Sequence, residues 1–148
     1  MDISVVDGVH LASIGIKTPL QEKFPILTSI LSKSKNPSKD WDFFMTSAGI
    51  AIAILCNQND EMFKKNILEK AKNIKNIYRP HSTLNWGRAV SDLFSFMENY
   101  KDTGINMQSQ IGLWVLWNIG GEKPSYDECK EVAPIIGMYL TKVVNDFK

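Results

Sequence analysis

Residues 40–57 have the sequence DWDFFMTSAGIAIAILCN and contain the longest uninterrupted apolar run of the chain, the nine residues Ala48–Cys56. Apolar positions recur at the helical spacings 3, 1, 3, 4 and 3, at Trp41, Phe44, Met45, Ala48, Ile52 and Leu55. The isoleucines at positions 50, 52 and 54 also alternate with alanines, which is the period of a strand. The length of the pattern favours a helix. Because this helix is apolar nearly all round, we predict that it lies buried at the centre of the fold.

Three further helices are predicted after this segment. Asp60, or the asparagine before it, is placed to cap a helix that extends to Ile77. The strongest amphipathic pattern covers Leu84–Tyr100, and an almost wholly apolar helix covers Asn106–Ile119. The stretch Tyr78–Thr83 is interrupted by a proline and is predicted to be irregular.

The first part of the chain has a different pattern. In residues 1–17, the pair Asp7-Gly8 separates two β-branched runs, which predicts a short β-hairpin, with a loose arm as the alternative. The segment Thr18–Gln21 then has the form of a capping box with proline at the first helical position. It predicts a helix that runs to Lys33 and is kinked or restarted at Pro25.

The remaining connections complete the predicted fold. Residues 34–39 are polar, contain a proline and are predicted to form a loop. Ser125–Glu128 is a second capping box, and Pro134 is expected to divide the last segment into a turn and a helix that ends at Phe147. The predicted fold is therefore all-α. It is a single-domain bundle of about six helices over residues 1–148, arranged as helical hairpins.

Composition excludes several classes of protein. The chain has 148 residues, which suits one domain, and its 17 basic and 16 acidic residues argue against a dedicated nucleic-acid binder. We see no signal peptide, and the longest apolar run is well below the roughly twenty residues that span a membrane. The sequence predicts a soluble, cytoplasmic protein. Cys56 and Cys129 lack metal-ligand spacing, so we predict no metal site, and two free thiols are favoured over a disulfide.

The candidate site is the segment of residues 79–88, RPHSTLNWGR, which contains both arginines of the chain. Guanidinium groups beside the backbone amides of a helix start suit a carboxylate or phosphate, and a histidine there can transfer protons. The residues expected to contact a ligand or partner are Arg79, His81, Asn85, Trp86 and Arg88. The structural alternative is a helix cap, a core tryptophan and an ion pair of Arg88 with Asp92 four residues later.

Two other features suggest binding. Lys64–Arg79 holds six basic residues and one acidic residue, so the face of Lys64–Lys75 is a weaker candidate for nucleic acid, with a solvated helix face as the alternative. Trp114 and Trp117, together with the aromatic residues of the central segment, suit a flat ligand between helices, an ordinary core or a homodimer contact.

The sequence contains no Walker, G-x-S-x-G or H-E-x-x-H pattern. We therefore predict no catalytic residue and no cofactor, and we favour a non-enzymatic protein. The leading hypothesis is a helical protein-binding module, such as an adaptor, a regulator or an immunity-type inhibitor. The alternatives are a small anionic-ligand binder or enzyme that uses Arg79–Arg88, and nucleic-acid binding through the Lys64–Lys75 face.

Overall fold

The protein is helical throughout the part of the chain that the structure, a computed structural model, describes: residues 2–74, 86–120 and 123–148. These ranges contain eight helices: α1 (Val5–Lys23), α2 (Pro25–Ser32), α3 (Pro37–Cys56), α4 (Glu61–Lys72), α5 (Trp86–Tyr100), α6 (Met107–Gly120), α7 (Tyr126–Cys129) and α8 (Val132–Asn145). The all-α prediction is confirmed. The predicted number of about six helices is too low.

Helix α3 forms the centre of the fold. It contacts α1, α4, α5, α6 and α8, and its residues from Asp40 to Ile54 are almost all buried. The helical interpretation of this segment is confirmed over the strand alternative. An aliphatic and aromatic surface on every side lets five neighbouring helices bury apolar surface against one element.

The predicted N-terminal β-hairpin is wrong, because α1 begins at Val5 and runs through the whole segment. Val5, Val6 and Val9 are buried with helical spacing, so packing on the rest of the protein outweighs their β-propensity. Gly8 does not form a turn. A side chain there would overlap the ring of Phe147, so its lack of a Cβ allows close packing.

The prolines early in the chain give a mixed result: Pro25 restarts the helix as predicted, whereas Pro19 and Pro37 lie inside helices rather than at the expected boundary and in the expected loop. The expected helix start at Thr18 is wrong, because Pro19 lies inside α1. That helix ends at Lys23, since Phe24 is extended (φ −125°, ψ 94°) as the residue before a proline prefers, and Pro25 restarts the chain as α2. The predicted loop of residues 34–39 is too long, because Pro37 already occupies the first turn of α3.

The later helix boundaries follow their capping residues. The side chain of Asp60 accepts a hydrogen bond from the backbone N–H of Phe63 at the start of α4. The helix ends at Lys72 rather than at the predicted Ile77, with Asn73 as its C-cap. The prediction for Tyr78–Thr83 lies outside the described residues.

The capping box at Ser125 is present, since its Oγ accepts from the N–H of Glu128 at 3.2 Å. It starts α7, which is four residues long. The last segment is divided into a short element and a helix as expected, but α8 already begins at Val132, so Pro134 lies in its first turn, where a proline needs no intrahelical hydrogen-bond donor. Helix α8 ends at Asn145 rather than at the predicted Phe147. The two short helices α2 and α7 explain why the described residues contain eight helices rather than about six.

Helix α6 packs between α5 and α8. On the α8 side, two glycines allow backbone to meet backbone. A Cβ on Gly112 would overlap the carbonyl group of Ala133, and a Cβ on Gly137 would overlap that of Gln108. On the α5 side, aromatic side chains separate the two helices and leave hollows at the surface.

Candidate functional site

Helix α5 borders surface hollows on both sides of its buried face. Its buried residues, Trp86, Ala89, Val90 and Leu93, recur every three or four positions, as in an amphipathic helix whose inner face is packed. The side chains flanking that face therefore lie at the edges of the α5 contacts with α3 and α6. This position makes α5 the main wall of the candidate sites.

The structure places two of the five predicted site residues. Trp86 is 1% exposed, and its ring lies 4.7 Å from that of Phe43, measured between centroids. It is a core side chain, as the structural alternative expected. Arg88 is exposed in the first turn of α5. Arg79, His81 and Asn85 lie outside the described residues, so the convergence of these groups stays a prediction.

Arg88 lines a hollow of about 310 Å³ with Ser91, Asp92 and Ser95. Asp92 and Ser95 also line a second hollow, so the two sites adjoin along α5. The carboxylate of Asp92 thus lies between the arginine and a second, more aromatic cavity.

We call this second cavity the aromatic pocket. It has a volume of about 310 Å³ between α5 and α6 and is lined by Asp92, Ser95, Phe96, Asn99, Tyr100, Trp114, Trp117, Asn118 and Lys123. Three of its rings are in mutual contact. Phe96 and Tyr100 are stacked at 4.6 Å, and the edge-to-face contacts of Trp117 have centroid distances of 5.2 Å to Phe96 and 6.0 Å to Tyr100.

Hydrogen bonds hold the polar groups of the aromatic pocket in place. The indole N–H of Trp114 donates to Asp92 Oδ2 at 2.9 Å, and that of Trp117 donates to the carbonyl of Pro124 at 2.7 Å. The ammonium of Lys123 lies 5.2 Å from the centroid of the Trp117 ring, a cation–π distance. Of the pocket residues, the sequence pointed to Trp114 and Trp117, and to Asp92 only as an ion-pair partner of Arg88; Ser95 and Asn99 were missed.

A larger and more apolar hollow lies on the other side of α5. This apolar groove has a volume of about 520 Å³ and is lined by Leu55, Phe94, Met97, Glu98, Lys101, Ile105, Met107 and Gln110. Its apolar side chains are partly exposed, and Met107 is the most accessible of them at 40%. Methionine side chains are flexible and polarizable, so they adapt to different apolar surfaces.

The polar residues of the apolar groove are satisfied within the protein. Lys101 forms an ion pair with Glu98 one turn before it. The side-chain amide of Gln110 donates to the carbonyls of Ile105 at 2.6 Å and Tyr100 at 3.3 Å, which fixes the connection between α5 and α6. An apolar occupant of the groove would therefore displace none of these hydrogen bonds.

The lysines of the Lys64–Lys75 face differ in their surroundings. Lys70 forms an ion pair with Asp7 of α1 at 3.1 Å, and Lys72 forms one with Glu69 at 3.0 Å. These contacts neutralise part of the face, which weakens its attraction for phosphates. Nucleic-acid binding there stays a prediction, and Lys75 lies outside the described residues.

Both cysteines are free, Cys56 at the surface and Cys129 in the core. Burial, aided by the negative charge of Glu128, raises the pKa of the Cys129 thiol to about 11, so it is protonated and unreactive at neutral pH. In the described ranges, no three histidine, cysteine or acidic side chains cluster as metal ligands. None of the helices described is both long and apolar enough to cross a membrane.

The geometry thus gives two candidate surfaces, the aromatic pocket and the apolar groove, on opposite sides of α5. Comparisons with known proteins add no precedent for either of them. No protein-family model, no curated protein and no solved structure matches this chain.

Proposed function

We propose that the chain is a non-enzymatic helical protein-binding module that accepts a short amphipathic helix of a partner protein in the apolar groove. The observation that carries this proposal is the groove lining: partly exposed leucine, phenylalanine, isoleucine and methionine side chains around about 520 Å³. Covering apolar surface of this kind lowers the free energy, because a bound partner removes it from water. Adaptors, regulators and immunity-type inhibitors all act through such contacts.

The secondary structure favours a helix as the occupant. A partner strand binds by extending an exposed sheet edge, and the part of the chain described here contains no strand. A groove beside a helix instead receives the apolar face of an amphipathic helix, through residues three or four positions apart. The volume lies within the roughly 300–1,000 Å³ range of ordinary ligand pockets, so a few large apolar side chains fit.

The rim charges would orient the partner helix. Glu98 and Lys101 lie one turn apart on α5, and both line the groove. We expect the partner to carry a basic residue facing Glu98 and an acidic residue facing Lys101, one turn apart along one side of its apolar stripe. Charged pairs at the rim of an interface contribute more to register and association rate than to affinity.

The experiment uses amphipathic helical peptides as probes. Peptides that bind the wild-type protein are selected from a displayed library, and their affinities are measured by fluorescence polarisation against two variants. Met107→Glu places a charge in the groove. Leu11→Glu places the same charge on the outer face of α1, at a side chain that is 69% exposed and does not line the groove.

We expect Met107→Glu to weaken the selected peptides by about tenfold or more, since one desolvated charge costs more than 1.4 kcal/mol. Leu11→Glu should leave their affinity unchanged. Proteins captured from the source cell should also bind less to Met107→Glu and equally well to Leu11→Glu. Failure to select any peptide, or peptides insensitive to Met107→Glu, would rule out the groove as the docking surface.

A further inference from the structure

The aromatic pocket carries an inference that is independent of the apolar groove. Its rings, Phe96, Tyr100 and Trp117, form one cluster in which each ring contacts the other two. The faces of aromatic rings are electron-rich and attract cations within about 6 Å of the centroid. One cation already occupies such a position, since the ammonium of Lys123 lies 5.2 Å from the centre of the Trp117 ring.

Two polar side chains on the pocket walls, those of Asp92 and Asn118, present oxygen atoms that can accept hydrogen bonds. Asp92 is exposed, and the N–H of Trp114 orients its carboxylate through Oδ2, so Oδ1 keeps its capacity to accept. The side-chain amide of Asn118 donates its N–H to the carbonyl of Trp114 at 2.8 Å. Its own carbonyl oxygen therefore remains an acceptor.

Aromatic faces combined with a carboxylate and an amide oxygen match a positively charged ligand. An anion would have to bind beside the carboxylate of Asp92, which repels it. Lys123 and, beyond Asp92, Arg88 supply the positive charges that an anion would need. Asp92 therefore favours a cation and disfavours an anion, whereas Lys123 favours an anion and disfavours a cation.

We propose that the aromatic pocket binds a small organic cation, an alkylammonium compound, between the Trp117 ring and the Asp92 carboxylate. Lys123 then acts as a resident ammonium that the ligand displaces from the ring face. The pocket volume of about 310 Å³ suits such a molecule, since it lies at the small end of the range for ligand sites. No covalent step is involved.

The experiment compares choline with 3,3-dimethyl-1-butanol, which has the same shape but replaces the charged nitrogen with carbon. Binding is measured on the wild-type full chain by calorimetry and by the chemical shifts of the tryptophan indole N–H groups. We expect choline to bind at least about tenfold more tightly than the neutral isostere, because only the cation is attracted to the electron-rich ring face.

Two variants then test the sign of the charge effect. Asp92→Asn keeps an oxygen to accept from Trp114 but removes the negative charge, and should weaken choline about tenfold. Lys123→Ala removes the competing ammonium and should strengthen choline several-fold. Both side chains are exposed, so we expect both variants to fold, which circular dichroism verifies.

Benzoate serves as the anionic probe. If benzoate binds, and Lys123→Ala weakens it while Asp92→Asn strengthens it, the pocket is an anion site and the proposal is overturned. Equal affinity for choline and its neutral isostere would also overturn it, because shape alone would then account for binding. The same conclusion follows if neither calorimetry nor the indole chemical shifts detect any binding of choline.

Discussion

The two sides of α6 differ in how closely the neighbouring helix approaches. Towards α8, Gly112 and Gly137 bring the helix backbones into contact, and nothing larger than hydrogen fits between them. Towards α5, indole and phenyl rings space the helices apart and leave the aromatic pocket open at the surface. One helix thus supplies both the tightest packing in this region and the wall of a cavity. One side of α6 has no room for a ligand, and the other side has an open hollow that can bind one.

The largest expected effect tests the tight side. Gly112→Ala places a methyl group into the carbonyl of Ala133, and because that atom belongs to a helix backbone, the two helices must move apart. We expect a loss of about 3 kcal/mol or more in the free energy of unfolding, at the upper end of overpacking costs. Urea unfolding followed by circular dichroism measures it. Gly137→Ala should have a similar effect.

A loss below about 0.5 kcal/mol, the range of ordinary surface substitutions, would contradict the assignment of this contact as rigid. The two glycines lie on opposite helices of the same interface, so their effects should not add. Once one alanine has separated the helices, the second finds space. The double variant is therefore expected to lose less than the sum of the two single losses.

A smaller effect is expected on the side that faces α5. Trp117→Phe keeps an aromatic ring but removes the N–H that donates to the carbonyl of Pro124 at 2.7 Å. It also weakens the contact with Lys123. We expect a loss of about 1–2 kcal/mol, measured in the same urea experiment.

Tyr139→Phe provides the comparison for Trp117→Phe. It removes a longer hydrogen bond, 3.3 Å from the tyrosine hydroxyl to the carbonyl of Ala12, and should cost less. If Trp117→Phe cost as much as Gly112→Ala, the two sides of α6 would be equally constrained, and the contrast between them would fail.

The helices themselves were largely predictable, because each depends on residues within one stretch of sequence. The apolar stripe of residues 40–57 predicts α3, and the amphipathic pattern that ends at Tyr100 predicts α5. The prediction of an N-terminal hairpin was wrong because it relied on Asp7-Gly8, which is a local turn signal. Burial of Val5 and Val9 in the core decides the structure there.

The candidate sites were less predictable because they join residues that are distant in sequence. Asp92 and Trp114 are 22 positions apart, and only the packing of α5 on α6 brings them together. A spacing rule cannot show this contact. The polar positions Asp92, Ser95 and Asn99 do recur every three or four residues. That signal marks one side of α5 as polar, but a solvated helix face has the same pattern.

Gly15 provides a contrast to the closely packed glycines of α6 and α8, because open space surrounds it. Gly15 lies inside α1, and a Cβ there would meet no atom within 4 Å. Gly15→Ala should therefore stabilise the protein by about 0.5–1 kcal/mol, the usual gain in a helix interior. The melting temperature measures it. A loss instead of a gain would show that the outer face of α1 is covered in solution.

The smallest effect is expected where α1 meets α3. Burial raises the pKa of the Asp42 carboxyl above its ordinary value of 3.8, and the charges of His10 and Lys17 oppose that shift. The folded state therefore holds this proton to a higher pH than the unfolded chain does. Stability falls as the pH rises between the two pKa values, so the ionised carboxyl is a net cost at pH 7.

Asp42→Asn should accordingly raise the urea midpoint slightly at pH 7 and leave it unchanged near pH 3, at about which the carboxyl is protonated in both states. Lys17→Ala removes one of the opposing charges, and the gain from Asp42→Asn should be larger in that background. A gain that persists unchanged at low pH would mean that shape rather than charge is responsible.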